Sequence, residues 1–378
     1  MASDKFEVTL EKIVSLCKRR GFVFQSAEIY SGLNGVYDFG PLGVTLKQNI
    51  KKLWLENMQK WSEDVVQLDG AILGSEPIWK ASGHIDNFID PMVDCLNCKK
   101  RFRADELDLE KPCPSCGVKN WTEVRQFNLM FKTEVGAMTG QGNYGYLRPE
   151  TAQSIFINFK NVLNSTRVKI PFGIAQIGKA YRNEITPKQF LFRMREFEQM
   201  ELEFFCKGEN ADKFFDIWVE RRSQFYKDLG LNQNKVRLRP HAKDELAHYS
   251  KNCVDVEYEF PFGFKELEGI ANRTDYDLSQ HIKHSKKDLS VFDTDKNESY
   301  IPHVVECSVG VERLFLTILF DAYKEDVIEG ESRTLLKLSP KIAPITAAIL
   351  PLSKKLSENS KKIYEQLKFN GFKVQFDD

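Results

Sequence analysis

The stretch YRNEITPKQFLFRMREFEQMELEFF, residues 181–205, combines charged side chains with a strand-like run of aromatic and aliphatic ones. Successive side chains of an extended strand point to opposite faces. From Arg193 onward, one face would carry Arg193, Arg195, Phe197, Gln199, Glu201 and Glu203. The preceding segment FGIAQIGKAYRNE, 172–184, is also strand-like, and TPKQ, 186–189, is typical of a turn. We therefore predict a β-hairpin with charged residues on both arms near the turn.

Two interpretations of this charged face are open. A solvated edge hairpin with cross-strand ion pairs is the commoner fate of such charge runs. The aromatic residues instead indicate a strand that is buried on part of both faces. Buried arginines and carboxylates need a charged partner or a ligand, so the second interpretation predicts a binding site.

The composition is that of a globular protein, and its net charge favours neither an acidic nor a basic partner. The 378 residues, enough for about two or three domains, include 54 basic and 54 acidic side chains and give a net charge of zero. A nucleic-acid site would therefore be a local patch. No segment has the roughly 18 apolar residues of a membrane span. Residues 1–25 have an amphipathic helix pattern, not that of a signal peptide, so we expect no membrane association.

Four of the eight cysteines form a cluster with the spacing of a metal site. Cys95 and Cys98 form a C-x-x-C pair, and after fourteen residues Cys113 and Cys116 form a second pair, C-P-S-C-G. Four thiolates so arranged can close a tetrahedron around zinc, which predicts a structural zinc site. The alternative is a ribbon that packs without metal. This cysteine usage indicates a reducing compartment, and we expect a cytoplasmic protein.

Three other segments carry clear secondary-structure patterns. Residues 44–61 place large apolar side chains at helical spacing, which predicts a helix packed on the core. VDVEYEFPFGFKELEGIA, 254–271, predicts two strands around PFG. HVVECSVGVERLFLTILFDAY, 303–323, predicts a strand followed by a helix, with Gly310 at the junction and Arg313 in the first helical turn.

Two further segments are expected at the surface. TGQGNYG, 139–145, contains G-x-G-x-x-G but does not follow an apolar strand, so it predicts a turn instead of a dinucleotide site. Because no G-x-x-x-x-G-K-[ST] occurs, side chains and metal would have to hold any ATP phosphates. The polar residues 277–299 predict a surface insertion in which His281 and His284 are exposed.

The C-terminal segment changes character. From Ile342 onward the pattern is strand, helix, strand, as in a parallel α/β unit. One such unit buries too little apolar surface to be stable by itself. We therefore expect residues 339–378 to be the incomplete beginning of a further domain.

The charged hairpin and the 303–323 segment resemble two motifs of the class II aminoacyl-tRNA synthetases. R-N-E at 182–184 and R-E-F at 195–197 resemble motif 2, and G-V-E-R at 310–313 resembles the start of motif 3. Further blocks are similar to those of the homodimeric glycyl-tRNA synthetases: EIYSGLNGVYDFGPLG, ASGHIDNFIDPMVDC, YLRPETAQ, RNEITPKQFLFRMREFEQME and ELEGIANRTDYDL. The resemblance extends from about residue 7 to the end of the chain.

This resemblance implies an α+β fold, with a class II antiparallel sheet flanked by helices. Residues 1–338 would form the catalytic domain, with a zinc-ribbon-like insertion at 95–125, and residues 339–378 would begin an α/β anticodon-binding domain. The implied function is glycine–tRNA ligation: ATP-dependent formation of glycyl-adenylate, then transfer to the 3'-terminal ribose of tRNA(Gly). The implied partners are tRNA(Gly), glycine, ATP with Mg²⁺ and a second copy of the chain, joined around residues 44–61.

The resemblance also assigns roles at the ATP site. Arg182 and Arg313 would be catalytic, the first between the glycine carboxylate and the α-phosphate, the second at the γ-phosphate, where guanidinium geometry suits. Phe197 would stack on adenine, Glu184 would accept from its exocyclic amine, and Glu266 is a candidate Mg²⁺ ligand. The full set expected at ATP is Arg182, Asn183, Glu184, Phe192, Arg193, Arg195, Glu196, Phe197, Glu266, Leu267, Gly310, Val311, Glu312 and Arg313.

Glycine offers only an ammonium and a carboxylate group, so its pocket is expected to be small and acidic. The residues expected there by resemblance are Arg103, Glu150, Phe197, Glu198, Gln199, Met200, Glu201, Glu306, Ser308 and Gly310. Arg103 is equally well explained as a solvated residue of the ribbon. His84 either orients the site or packs in the core.

Two other functions are alternatives to glycine–tRNA ligation. A synthetase-like accessory protein without catalysis would typically lack the motif arginines, and both Arg182 and Arg313 are present. A class II enzyme for another amino acid is the second alternative. The acidic set Glu150, Glu201 and Glu306 favours glycine, and pyrophosphate exchange with different amino acids distinguishes the two.

Overall fold

The structure, a computed structural model, describes residues 7–60, 64–136 and 144–378. The α-helices within these ranges are α1 (Leu10–Arg19), α2 (Pro41–Lys60), α3 (Glu76–Ala81), α4 (His84–Asn87), α5 (Ala152–Ser165), α6 (Ala211–Leu229), α7 (Tyr276–Ser285), α8 (Val311–Ala322) and α9 (Ser357–Phe369). Among the described residues, no helix is both long enough and apolar enough to cross a membrane.

The strands of the same ranges are β1 (Val23–Gln25), β2 (Tyr37–Phe39), β3 (Val65–Gln67), β4 (Leu73–Ser75), β5 (Ile89–Asp94), β6 (Arg101–Arg103), β7 (Arg125–Asn128), β8 (Phe131–Glu134), β9 (Tyr144–Leu147), β10 (Phe172–Tyr181), β11 (Glu196–Cys206), β12 (Val236–Pro240), β13 (Asn252–Phe260), β14 (Gly263–Thr274), β15 (Val291–Asp293), β16 (Glu298–Tyr300), β17 (His303–Gly310), β18 (Tyr323–Ile328), β19 (Glu331–Leu336), β20 (Ala347–Ile349) and β21 (Val374–Phe376).

A seven-stranded sheet organises the molecule, in the order β12-β13-β14-β17-β11-β10-β3. All neighbours are antiparallel except the short edge strand β3, which runs parallel to β10. The expected antiparallel sheet flanked by helices is therefore confirmed. So are the strand pair β13–β14 and the passage from β17 into α8, whose N-cap is Gly310.

The charged hairpin forms between β10 and β11, with Phe172 opposite Phe205 and Tyr181 opposite Glu196. Its connection is residues 182–195, much longer than a turn at TPKQ, and β11 begins after Arg195. At its base, the Arg182 N–H still donates to the carbonyl of Arg195 at 2.9 Å across the hairpin. The Arg195 N–H points the other way and donates to the carbonyl of Gly35 at 2.8 Å, which joins the connection to a separate loop.

Two hydrophobic cores lie on opposite faces of the sheet. Helices α1, α2, α6 and α8 cover one face, where Trp54 and Trp218 are fully buried. Helices α5 and α7 cover part of the other face, where Phe159 packs on Phe205. Because side chains alternate along β11, Met200 enters the first core and Phe205 the second. The uncovered part of the second face is left for the site.

The surface prediction for residues 277–299 is wrong for Asp277 and His281, whereas His284 is exposed as predicted. Residues 277–299 begin inside α7, and Asp277 and His281 are buried because the His281 ring is hydrogen-bonded to Gln153 of α5 at 2.9 Å. Residues 139–143 of the glycine-rich segment, and the last residue of the 44–61 helix pattern, lie outside the described ranges. At the C-terminus β20 and β21 pair in parallel beside α9, as the strand–helix–strand pattern predicts.

Candidate active site

A polar cavity of about 300 Å³ opens on the sheet face that carries Phe197 and Gln199. The connection of the hairpin, β11, β14, β17 and the start of α8 all contribute to its walls. The lining residues are Arg182, Glu184, Leu191, Phe192, Arg193, Met194, Phe197, Gln199, Glu266, Ser308, Gly310, Glu312 and Arg313. Most of the residues expected at ATP are therefore brought together in one cavity.

Strand alternation keeps three of the expected side chains away from this cavity. Glu196 pairs with Lys179 at 2.8 Å, Glu198 pairs with Lys47 at 2.8 Å, and Met200 lies in the opposite core. A continuous run of residues was expected at the site, but one face of a strand offers only alternate side chains. The side chains of Leu267 and Val311 are likewise buried in the core that contains Met200.

Arg182 holds a positive charge at the cavity between two aromatic rings. Its Nε donates to the carbonyl of Pro149 at 3.0 Å. Its guanidinium carbon lies 5.4 Å from the ring centroid of Phe197 and 5.3 Å from that of Phe88. Within the described ranges Arg182 forms no ion pair, so its charge is available to an anion.

Arg313 lines the same cavity from the first turn of α8. Its Nη1 donates to the backbone carbonyl of Glu266 at 3.0 Å and lies 3.3 Å from that residue's carboxylate. The guanidinium carbon sits 4.6 Å from the ring centroid of Phe192. The Glu266 carboxylate itself is half exposed and can accept a further cation.

Some residues of the 182–195 connection line the cavity, and others support the loop. Burial raises the pKa of Glu184, while Arg193 and Arg182 oppose the rise. Arg195 instead supports the loop: its guanidinium donates to the carbonyls of Glu184, at 3.1 and 3.0 Å, and of Asn34, at 2.7 Å. Arg195 and Asn183 are therefore not among the residues that line the cavity.

A group of buried carboxylates lies on the same sheet face, adjoining the cavity. Glu201 accepts from the Thr151 amide at 2.8 Å, from the Thr151 hydroxyl, and from the Ser308 hydroxyl at 2.7 Å. Glu150 lies 3.3 Å from His84 Nε2. The structure thus brings Glu150, Glu201 and Ser308 together, with His84 in direct contact with the group.

Arg273 binds two further carboxylates of this group, and sequence analysis missed it. It donates to Asp277 at 2.7 and 2.9 Å and to Glu306, and it is 4% exposed. The available signal was the spacing of Arg273 and Asp277, four residues apart within the ANRTDYDL block. Glu203, fully buried on β11, lies on the predicted charged face but was not named among the residues expected at glycine.

The carboxylates titrate differently because their surroundings differ. Burial would raise the pKa of Glu150, but His84 and Arg273 outweigh burial and the pKa is lowered. Burial raises the pKa of Glu201, and the neighbouring Glu150 adds to the rise. Burial raises the pKa of Glu306 to about 7; Arg273 opposes this, and Glu201 and Glu150 reinforce it. The pocket therefore changes its charge near neutral pH.

Arg103 lies outside the cavity lining, at the end of β6. Its guanidinium pairs with Asp90 at 2.8 Å and with Asp105 at 2.7 Å. The pair with Asp90 joins the cysteine-containing insertion to β5. Both the substrate role and the structural role of Arg103 are compatible with this position.

The four clustered cysteines converge to one point. Their sulfur atoms all lie within 4.8 Å of one another, with Cys95 and Cys116 at 3.6 Å and Cys98 and Cys113 at 3.8 Å. A zinc tetrahedron with Zn–S bonds of about 2.3 Å needs sulfur separations of about 3.8 Å. Gly117, at φ +71°, permits the turn after the second pair. The residues present fit a four-coordinate zinc ion.

Comparison with known proteins agrees with the fold. Residues 131–322 match the family model described as the tRNA synthetase class II core domain (G, H, P, S and T). The glycine–tRNA ligase of Treponema denticola is 52% identical over 99% of this chain and 85% of its own length. Those of Geobacillus thermodenitrificans and Borreliella afzelii are 49% and 52% identical, over 99% and 98% of this chain and 86% and 85% of their own lengths.

The antiparallel sheet, the two motif arginines and the matched core domain define a class II aminoacyl-tRNA synthetase. The three relatives share about half of their residues with this chain over nearly its whole length, which identifies the family within this class. The chain belongs to the glycine–tRNA ligase family.

Proposed function

We propose that this chain activates glycine with ATP in the cavity between Arg182 and Arg313 and transfers the glycyl group to the 3'-terminal ribose of tRNA(Gly). The reaction is the one implied by membership of the glycine–tRNA ligase family. The observation that carries the assignment of the site is that both arginines line one cavity, which adjoins a group of buried carboxylates. Class II synthetases use ATP with Mg²⁺, so ATP, glycine and tRNA(Gly) are the substrates.

Activation needs positioning and charge neutralisation more than acid–base chemistry. The glycine carboxylate attacks the α-phosphorus of ATP, the bond to the β-phosphate breaks, and pyrophosphate leaves. Arg182 neutralises the charge that develops between the carboxylate and the α-phosphate, and Arg313 neutralises the γ-phosphate. Arg182 suits this role because its guanidinium group forms no ion pair with a protein carboxylate within the described ranges.

The nucleotide base and the metal are assigned to the remaining walls. Phe197 offers a ring on which adenine stacks, and Glu184 accepts a hydrogen bond from its exocyclic amine. Glu266 supplies a carboxylate oxygen of the kind that Mg²⁺ prefers, beside the arginine that binds the γ-phosphate. When bound, Mg²⁺ supplies neutralisation of the phosphate charge.

Glycine is recognised by its ammonium group and by the lack of room for anything larger. Glu150, Glu201 and Glu306, with Ser308, surround the position of the ammonium group. A methyl group alone discriminates by only about 1–3 kcal/mol, so exclusion of alanine depends on filled volume at this pocket.

The cysteine cluster, the assembly and the domain division complete the proposal. Cys95, Cys98, Cys113 and Cys116 hold a zinc ion that is structural, because four protein ligands leave no open position.

Two copies of the chain associate around α2 and β3, the region expected from the family. Residues 1–338 form the catalytic domain and residues 339–378 belong to an anticodon-binding domain. The reduced cysteines are compatible with a cytoplasmic location.

Amino-acid-dependent ATP–pyrophosphate exchange tests this function. We expect exchange with glycine and at least a hundredfold weaker exchange with alanine or serine, since buried carboxylates and filled volume act together. Charging of tRNA(Gly) with radioactive glycine tests the second step. Exchange that depends on another amino acid, or no exchange by the folded protein, would contradict the proposal.

A further inference from the structure

Glu203 is a buried carboxyl group that accepts no hydrogen bond from the described residues. It lies on β11, two residues beyond Glu201 on the same face, and it is 0% exposed. No N–H or O–H group within the described ranges donates to either of its oxygens. An apolar side chain of the same size would fill this space without the cost of desolvating a carboxyl group. Packing alone therefore does not explain a glutamate at this position.

The register of the sheet places Glu203 directly opposite Glu306 on β17. Opposite residues of an antiparallel pair have Cβ atoms about 4.5–5.5 Å apart, within reach of two glutamate side chains. On its other side, β10 places the apolar Ile174 opposite Glu203. The charged groups that face Glu203 are Glu201 on β11, Glu306 on β17, Arg273 on β14 and Asp277 on α7.

The charges of this group do not balance if every carboxyl is ionised. Arg273 is the cation that acts on Glu203 beside Glu201, Glu306 and Asp277, and it already donates to Asp277 and Glu306. Glu201 has donors of its own in Thr151 and Ser308. Glu203 is thus the carboxyl that gains most from holding a proton. Burial and the neighbouring Glu306 raise the pKa of Glu203 well above its ordinary value.

We propose that Glu203 is a positioning residue of the glycine pocket, whose neutral carboxyl group donates the hydrogen bond that orients the Glu306 carboxylate toward the substrate ammonium group. This inference rests on the proposed glycine-activating function. A carboxylate has about four lone-pair positions, so Glu306 can accept from Arg273, from Glu203 and from glycine together. Two ionised carboxylates in these positions would repel each other, and only the proton converts them into a bonded pair.

Two substitutions of Glu203 separate this role from simple packing and from a direct charge effect. Glu203→Gln keeps the size and a donor but cannot ionise, and Glu203→Met keeps the approximate size but has no donor. Exchange kinetics with glycine and with ATP are measured for both, together with thermal unfolding. Glu331→Gln, in the exposed β18–β19 hairpin, is the matched control.

We expect Glu203→Met to raise the KM for glycine on the order of tenfold or more, the effect of losing one hydrogen bond to a charged group. Its kcat and its KM for ATP should stay within about threefold, and its melting temperature should not fall. Glu203→Gln should retain most of the glycine affinity, because the amide donates in place of the acid. An unchanged glycine KM in a folded Glu203→Met protein overturns the proposal. So does a Glu203→Gln variant as impaired as Glu203→Met, since ionised Glu203 would then be the active form.

Infrared spectroscopy at about pH 9, where Glu306 is ionised, provides a readout that does not depend on activity. The wild-type spectrum should contain protonated carboxyl C=O absorption that loses intensity in Glu203→Gln and is unchanged in Glu331→Gln. Equal absorption in the wild type and Glu203→Gln contradicts a neutral Glu203 whatever the kinetics. If the wild type exchanges pyrophosphate with a different amino acid, the proposed function fails while the infrared result still decides the state of Glu203.

Discussion

Lys47 of α2 and Glu312 of α8 form a buried ion pair, with the Lys47 Nζ 2.6 Å from Oε1 of Glu312. The second oxygen of Glu312 accepts the backbone N–H of Glu198 at 2.7 Å, and the Glu198 carboxylate lies 2.8 Å from the same lysine. The start of α8, which carries Arg313, is thus tied to the start of β11 and to the helix of the proposed dimer interface.

Removing Lys47 should destabilise the protein. Lys47→Met leaves two buried carboxylates with less positive charge, which costs about 3–5 kcal/mol of unfolding free energy when a buried pair loses one partner. Urea unfolding measures the change. Lys52→Met is the control on the same helix: its pair with Glu56 is exposed, so about 0–1 kcal/mol is expected. Equal effects of the two substitutions would disprove a special role for the buried pair.

Replacing Arg182 should abolish adenylate formation and leave the fold intact. The guanidinium acts on charge that develops in the transition state, so Arg182→Ala is expected to lower the exchange rate by about 100- to 1,000-fold or more. Arg333→Ala, an exposed arginine on β19, is the control. Near-normal exchange by a folded Arg182→Ala protein would remove Arg182 from the catalytic assignment.

The cysteine cluster should contain one zinc ion per chain. Elemental analysis of protein purified without chelator measures this ratio. Cys98→Ser should lose the metal and lower the stability of the 95–125 insertion, because three remaining thiolates no longer close the tetrahedron. Cys253→Ser, which changes a thiol outside the cluster, should keep the zinc of the cluster. A metal-free wild type would show that the four thiols pack as a ribbon by themselves.

Glycine affinity should rise with pH through neutrality. Since the pKa of Glu306 is about 7 in the folded protein, this carboxyl is largely neutral at about pH 6 and offers no charge to the ammonium group. The KM for glycine should therefore fall between about pH 6 and pH 8, by at most about tenfold per pH unit. Steady-state exchange over this range measures the slope, and Glu306→Gln should flatten it.

The raised pKa of Glu306 also makes the stability of the protein depend on pH. Stability should fall as the pH rises, whereas glycine affinity should increase. The pKa of Glu306 is raised from its usual 4.5, so between the two values the folded chain binds more protons than the unfolded chain. Its contribution to stability is complete below about pH 4.5 and is lost as the pH rises through about 7. Over this pH window, the stability of the wild type should fall more steeply with rising pH than that of Glu306→Gln. Equal slopes for the two proteins would contradict this linkage.

A homodimer should form in solution. Light scattering after size-exclusion chromatography should give twice the chain mass of 43.7 kDa. A charge introduced on the outer face of α2, such as Val44→Glu at a residue 40% exposed, should shift the equilibrium toward monomer if α2 lies at the interface. A monomeric wild type would remove the dimer from the proposal.

Local patterns sufficed for the central elements of the fold. Alternating residues predicted β10, β11, β13 and β14, and helical spacing predicted α2 and α8, because side-chain periodicity follows directly from backbone geometry. The motif arginines and the carboxylates Glu150 and Glu201 were named from short blocks. The length of the 182–195 connection was not predicted, because its contacts include residues far away in the chain, such as Gly35, which no local pattern contains.

The sequence by itself determined the class of the protein, the sheet-forming segments, the cysteine cluster and the residues that carry charge to the cavity, since these depend on residue type and spacing. Only the tertiary structure decided which of those side chains share a face. Strand alternation turned Glu198 and Met200 away from the cavity, and the register of β11 against β17 set Glu203 opposite Glu306. Pairing between segments about a hundred residues apart fixes that register, and no local pattern contains it.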